Sequence, residues 1–201
     1  MVKMHETIEK AVQEAEMRTL GEIVPMVLKA SDAYPATSWR FAFVFSVFLS
    51  GLAYLLYPYF DTLIYFLFQL GFLLSGLGLI QIPWLKRHFL SQPEIEEETY
   101  QRAIQAFYEN NLHTTRDRTG ILIFVSLLEH KIHILADSGI HQKVEKDTWQ
   151  VIVKQLSTEI RKNNLKEGLR EAILKCGDIL SHHFPKTPSN PNELPNKLIT
   201  K

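Results

Sequence analysis

The sequence holds a single cysteine, Cys176, so an internal disulfide and a stapled secreted scaffold are excluded. Cys176 falls in an apolar helical stripe, where a small buried thiol is the ordinary role. A reducing compartment fits this. Excess charge is missing as well: 22 Lys and Arg balance 22 Asp and Glu, which removes the basic surplus that a polyanion-binding protein needs. Nucleic acid is not expected as a partner. Catalytic signatures are equally scarce. The sequence has no Walker loop, no GxGxxG and no HExxH, Ser126 lies in an apolar run without a glycine elbow, and no neighbouring base would activate Cys176. The first 38 residues are polar and acidic, with no apolar segment near the start, so a cleaved signal peptide is not expected either.

What is present is a long stretch almost without charge. Between Arg40 and Lys86 the only charged residue is Asp61, in "YPYFD" near the midpoint. About 20 apolar residues cross a bilayer's hydrocarbon core, so the stretch divides into two spans, 40–57 and 62–84, as a helical hairpin. Pro58 ends the first span. Trp39 and Trp84 suit one interface, and the tyrosines at 57 and 59 suit the other. Arg40 before the pair and Lys86 and Arg87 after it are basic, whereas the turn has no Lys or Arg. By the positive-inside bias both termini then face the cytoplasm. Small residues at Ser46/Ser50 and Gly71/Ser75 would let the two helices approach closely.

Outside the hairpin the patterns are those of a soluble domain. Residues 5–20 carry a helical stripe at Ile8, Ala11, Val12 and Ala15, with Gly21 as its stop. "EIVPMVL", 22–28, reads as a strand in which Pro25 lacks an amide donor, which argues for an edge position or a bulge. "SQPEIEEE", 91–98, is a helix start with Ser91 as cap and four glutamates favouring the positive end of the dipole, running to about Asn110. "ILIFVSLL", 121–128, is apolar on both faces, the mark of a central strand covered by helices on each side. "KIHILAD", 131–137, alternates and forms a tight antiparallel hairpin with it, leaving His130 and His133 facing solvent. Two helices follow, one burying Trp149, Ile152, Val153, Leu156 and Ile160, the other Leu165, Leu169, Ile173, Cys176, Leu180 and Phe184. The tail, 185–201, has four prolines and no periodic pattern, and is expected to be a flexible extension.

Two or three strands do not make a stable sheet alone. Because both ends of the hairpin emerge on one side, the N-terminal strand can join the C-terminal pair. The expected organisation is therefore an N-terminal part of the soluble domain at 1–38, a transmembrane hairpin at 39–86, the C-terminal part at 87–184 and the tail.

The run "RTGILIFVSLLEHKIHILADSGI", with "RTLGEIVPMVL" before it and "EGLREAILKCGDIL" after, resembles the TPM domain, and most closely the bacterial membrane proteins of that family that carry a hydrophobic hairpin ahead of the main sheet. The resemblance implies an α/β sandwich, a short sheet with helices on both sides and the hairpin inserted between the first strand and the rest. It also implies work in assembly or repair of membrane complexes, with divalent-cation binding and acid phosphatase activity in some plant members. Gly139 matches the glycine that ends the second hairpin strand, where a chain reversal needs a permissive backbone. The acidic position two residues later in many relatives is His141 here, and Asp147 falls out of register with a second acidic position. Asp137, His141 and Asp147 are the candidate metal ligands, an oxygen and imidazole set that suits a transition metal better than calcium. The alternative is a turn-forming Asp137, a surface His141 and a helix-capping Asp147.

The expectation is an accessory protein of the bacterial inner membrane, multi-pass with two spans, whose cytoplasmic TPM-like domain binds an unidentified protein partner beside the lipid surface. No cofactor is expected, a divalent cation being the one group the resemblance suggests. The rival is a metal-dependent acid phosphatase.

Overall fold

The computed structural model describes residues 2–186 and 192–200. They divide into two compact units, one built from residues 1–31 and 96–201, the other from residues 32–95.

The first unit is an α/β sandwich around a four-stranded sheet. Strand β1, Glu22–Leu28, lies parallel to β2, Gly120–Ser126, with Glu22 opposite Gly120 and Leu28 opposite Ser126. Strand β3, Lys131–Ala136, returns antiparallel along β2, with Ser126 opposite Lys131. All seven residues of β1 and of β2 are buried, which explains why both read as unbroken apolar runs rather than alternations. On one face Ile23, Val27, Ile121, Ile123 and Val125 pack under three helices. These are α1, Val2–Glu16, α7, Lys146–Arg161, and α8, Leu165–His183. On the other face Val24, Met26, Leu28, Leu122 and Phe124 pack against Ala103, Ala106 and Phe107 of α5, Gln92–Glu109. Each such Val, Leu, Ile, Met or Phe side chain contributes about 1.5–3 kcal/mol when fully buried. The sheet is thus the wall shared by two apolar clusters.

Local chemistry sets the boundaries of these elements. The helical stripe predicted for α1 is buried as read, Ile8, Val12 and Ala15 being fully covered. α1 meets α8 where Gly177 lies against Ala15: a Cβ at Gly177 would stand 2.6 Å from that of Ala15. The hydroxyl of Ser91 accepts the amide of Glu94 at the start of α5, as a serine cap does. In the β2–β3 turn His130 takes a left-handed backbone with φ 53°. The buried Glu129 beside it accepts the Ser126 hydroxyl and, at 2.8 Å, the amide of Ser31. That carboxylate ties the turn to the chain leaving β1.

Two expectations for this unit change. Pro25 is not on an edge strand, because β4, Ile199–Thr200, lies along the outer side of β1. Among the described residues the pairing faces only Met26 and Val27, so Pro25 itself lies outside it. The tail is correspondingly not a free extension over its described part. Leu198 is buried, and the Glu22 carboxylate accepts the amides of Glu193 and Leu194, both at 3.2 Å. Asn196 donates to Glu16 at 2.6 Å. Composition marked this segment as unstructured because prolines and asparagines hide a docking that depends on two distant glutamates. Residues 187–191 lie outside the described residues.

The second unit is helical. α2, Pro35–Leu56, and α3, Thr62–Leu79, are long and apolar enough to cross a membrane. Tyr57, Tyr59 and Phe60 between them are exposed. The second span ends earlier than residue 84. Pro83 opens a separate short helix, α4, Pro83–Phe89, because proline cannot supply the amide that a continuing α3 would need. The seam between α2 and α3 also differs from the expected small-residue stripe. A Cβ at Gly76 would lie 2.9 Å from the Ala42 Cα, whereas one at Gly71 would meet nothing within 4 Å. Ser46 does lie in the seam, where it accepts a hydrogen bond from Gln69 at 3.0 Å.

Candidate functional site

Among the described residues β3 pairs only with β2, so one side of its backbone ladder is open. An edge of this kind is a template for a further strand. A groove of about 880 Å³ runs along it, walled by Tyr100 of α5, residues 132–135 of β3, His141, and Asp147, Gln150 and Lys154 of α7. Alternation along β3 gives the groove two characters. Ile132 and Ile134 pack toward the α7 side and Leu135 toward the α5 side. At the rim of α7 stands Val151, 67% exposed.

His133 faces α5 rather than solvent, contrary to its expected position. Its Nε2 lies 2.9 Å from the Thr99 hydroxyl, and its ring meets Tyr100 edge-on with centroids 5.9 Å apart. Burial holds its pKa below the usual imidazole range, with the Glu96 carboxylate opposing that shift. The neutral ring is thereby favoured near neutrality. Glu96 itself accepts a hydrogen bond from the Lys131 ammonium, and that bond lowers the pKa of its carboxyl. The sequence pattern missed this placement because alternation tells which residues share a face, not which face a helix will cover.

The proposed metal ligands do not converge. Asp137 is 5% exposed and caps the short helix α6, Ser138–His141, accepting the Ser138 amide at 2.6 Å. Its other oxygen lies 3.2 Å from Arg118 Nε. His141 and Asp147 are exposed and both border the groove, while Asp137 does not. Asp147 sits in the first turn of α7 and accepts from Gln150 at 2.8 Å. Among the described residues no group of three or more His, Cys, Asp or Glu side chains is arranged to hold a metal ion.

Gly139 is required, for a different reason from the one its position suggested. Among the described residues no glycine has a positive φ. Instead its amide donates to the Arg118 carbonyl at 3.1 Å, and a Cβ at this place would stand 2.7 Å from that oxygen. Close backbone approach is the second standard use of glycine.

Cys176 is fully buried, and burial pushes its thiol far above the usual range. It is inert as a nucleophile. Ser126 is spent on Glu129, as above. Tyr100, Gln150 and Lys154 belong to no motif, so nothing in the residue pattern singles them out; only the fold brings them to one edge.

Of the expected interface residues, Trp39 and Trp84 are 56% and 71% exposed. Arg40 is mostly exposed and lies 3.4 Å from Glu94. Lys86 is buried, its ammonium donating to the Ala33 carbonyl, and Arg87 is half-buried.

Comparison with known proteins agrees with this architecture. Residues 88–179 match the family model of the TPM domain, the segment that runs from α4 through β2 and β3 nearly to the end of α8. The solved NMR structure of the BA42 protein from the psychrophilic bacterium Bizionia argentinensis superposes with a TM-score of 0.63. That likeness covers 100% of this chain and 94% of BA42, at 20% identity, and concerns the fold. No curated protein matches. Over residues 88–179, then, the chain is similar to the TPM domain family.

Proposed function

We propose that this protein is a membrane-anchored accessory protein whose TPM domain captures an extended segment of a partner protein along the open edge of β3. The observation that carries the reading is that edge with its groove: unpaired backbone offers hydrogen bonds of any sequence, and alternating side pockets select residues. Anchoring rests on α2 and α3, whose large apolar side chains, Phe43, Phe48, Phe66 and Leu67 among them, are exposed. The basic flanks at Arg40 and Arg87 favour a cytoplasmic TPM domain. Confinement to the bilayer plane would raise the local concentration of a membrane-bound partner, and so assist assembly or maintenance of a membrane complex.

The test is a photo-crosslinking amino acid at Gln150, used in intact membranes, with the Val151→Glu variant as control. Val151 is exposed, so its exchange leaves folding alone. The reading expects a defined adduct that Val151→Glu abolishes with Tm unchanged. An adduct insensitive to that exchange would sink it. The rival, a metal-dependent phosphomonoesterase, draws on His141 and Asp147 sharing the groove, although metal-assisted hydrolysis calls for more converging carboxylates than these. Metal-stimulated phosphomonoester turnover that is lost in Asp147→Asn would replace the binding reading.

A further inference from the structure

The helical unit holds a second cavity, of about 430 Å³, between α2 and α4. Its walls are apolar: Phe41, Val44, Phe45 and Phe48 on α2 and Phe89 on α4. Phe41 anchors them, with Phe89 edge-on at 4.8 Å and Phe45 stacked at 5.6 Å between centroids. Residues 37, 41, 44, 45 and 48 fall at helical spacing on one side of α2. They make a furrow about 16 Å long at the α-helical rise, with Thr37 and Arg40 at its polar end.

That end is chemically two-sided. The Arg40 guanidinium donates from Nε to the Ala36 carbonyl at 3.4 Å and from Nη2 to Thr37 at 3.0 Å and Glu94 at 3.4 Å. Among the described residues its Nη1 makes no hydrogen bond, so two N–H donors are available. The Glu94 carboxylate is held in place by Thr37 and Ser91. Oε2 accepts from Arg40, Thr37 and Ser91, whereas Oε1 accepts from Thr37 alone. A cation with free donors and an anion with a free lone pair therefore stand side by side at the mouth of an acyl-sized apolar furrow.

We infer that this cavity is a binding site for a zwitterionic aminophospholipid, phosphatidylethanolamine in kind. Its phosphate accepts from the Arg40 fork, its ammonium donates to Glu94, and one acyl chain lies along the phenylalanines. A phosphatidylglycerol headgroup would set its negative charge beside Glu94 with no ammonium to offset it. A choline headgroup has no N–H to donate. Both ionic contacts are charge-assisted, which makes them the selective part of the site, while the furrow supplies affinity without headgroup preference. The site rests on the reading of α2 and α3 as membrane spans.

The experiment uses the full chain reconstituted in nanodiscs of equimolar phosphatidylethanolamine, phosphatidylglycerol and phosphatidylcholine, with lipids retained after release into detergent counted by native mass spectrometry. Retention enriched about tenfold in phosphatidylethanolamine is expected, the lower end of the ratio that one charge-assisted hydrogen bond gives. Glu94→Gln should erase the discrimination against phosphatidylglycerol, and Arg40→Gln should lower retention of all three lipids. Val44→Trp, at an exposed position, should fill the furrow and lower retention with the ionic pair intact. Equal retention of the three headgroups by the unaltered chain, or a preference that all three variants leave unchanged, would overturn the site. Release of the chain from native membranes by alkaline carbonate would instead overturn the membrane reading, and the site with it.

Discussion

Glu16 shows what a single buried carboxyl does in this fold. It closes α1, is 7% exposed, and accepts the Ile23 amide at 2.9 Å and the Asn196 side chain at 2.6 Å. Burial pushes its pKa up to about 8, and the neighbouring Glu22 adds to the rise, against the lowering effect of its hydrogen bonds and of Lys186. The folded state therefore holds a proton that the unfolded chain releases at an ordinary carboxylate pKa. The stability this contributes is complete below about pH 4.5 and is lost as the pH rises through about 8. Glu16→Gln cannot ionise and keeps the shape of the neutral acid. Urea midpoints across that window should fall with rising pH in the parent and fall much less in the variant. A residual slope should remain, because burial raises Glu22 in the same direction. Identical slopes in the two proteins would show that Glu16 is ionised in the fold.

At the scale of elements, β4 and the segment before it are the least legible part of the chain and depend most on distant residues. Two residues pair with β1, and the rest of the docking runs through Glu16, Glu22 and the Lys186 ammonium, which donates to the Glu16 carbonyl at 3.1 Å. Truncation after Lys186 should uncover both glutamates and the outer side of β1, lowering stability by about 1–3 kcal/mol, the burial of Leu198 and the lost hydrogen bonds being partly offset by the entropy that the freed segment regains. It should also flatten the pH dependence, since rehydrated glutamates regain ordinary pKa values. Denaturation of the truncated chain at two pH values checks both outcomes. The contrast with α1, β1, β2 and β3 explains what the sequence could and could not disclose. Ile8, Ala11, Val12 and Ala15, or the run from Ile121 to Val125, encode their element by local period alone. Ile199 and Thr200 become a strand only because β1 has an open side, and Pro83 splits α3 from α4 inside a stretch whose hydropathy continues past it. The groove is legible in the same uneven way. β3 itself could be read from its alternation, but not that Tyr100 and Lys154 flank it, nor that His133 turns to α5, because those facts depend on which helix covers which face.

For the whole molecule, the order of the chain and the order of the fold disagree, and that disagreement can be tested. The sheet and both apolar clusters draw only on residues 1–31 and 96–201. β1 is an inner strand whose Ile23, Val24, Met26, Val27 and Leu28 are all buried, split between the two clusters. At about 1.5–3 kcal/mol for each buried side chain, their loss rivals the roughly 5–15 kcal/mol that is the entire net stability of an ordinary domain. Residues 96–201 alone should therefore fail to fold, even though they contain most of the segment that the family model matches. Joining the two pieces is a modest demand. Ser31 donates to Glu129 and Glu96 pairs with Lys131, so both cut ends are held at the same β2–β3 turn. A chain in which a flexible linker of about ten residues, spanning roughly 16–19 Å on average, replaces residues 32–95 should be soluble without detergent. It should also unfold in one cooperative step and show an α/β circular dichroism spectrum. Solubility and cooperative folding of 96–201 without the N-terminal piece would mean that β1 is dispensable, and the sheet described here would then be wrong at its centre.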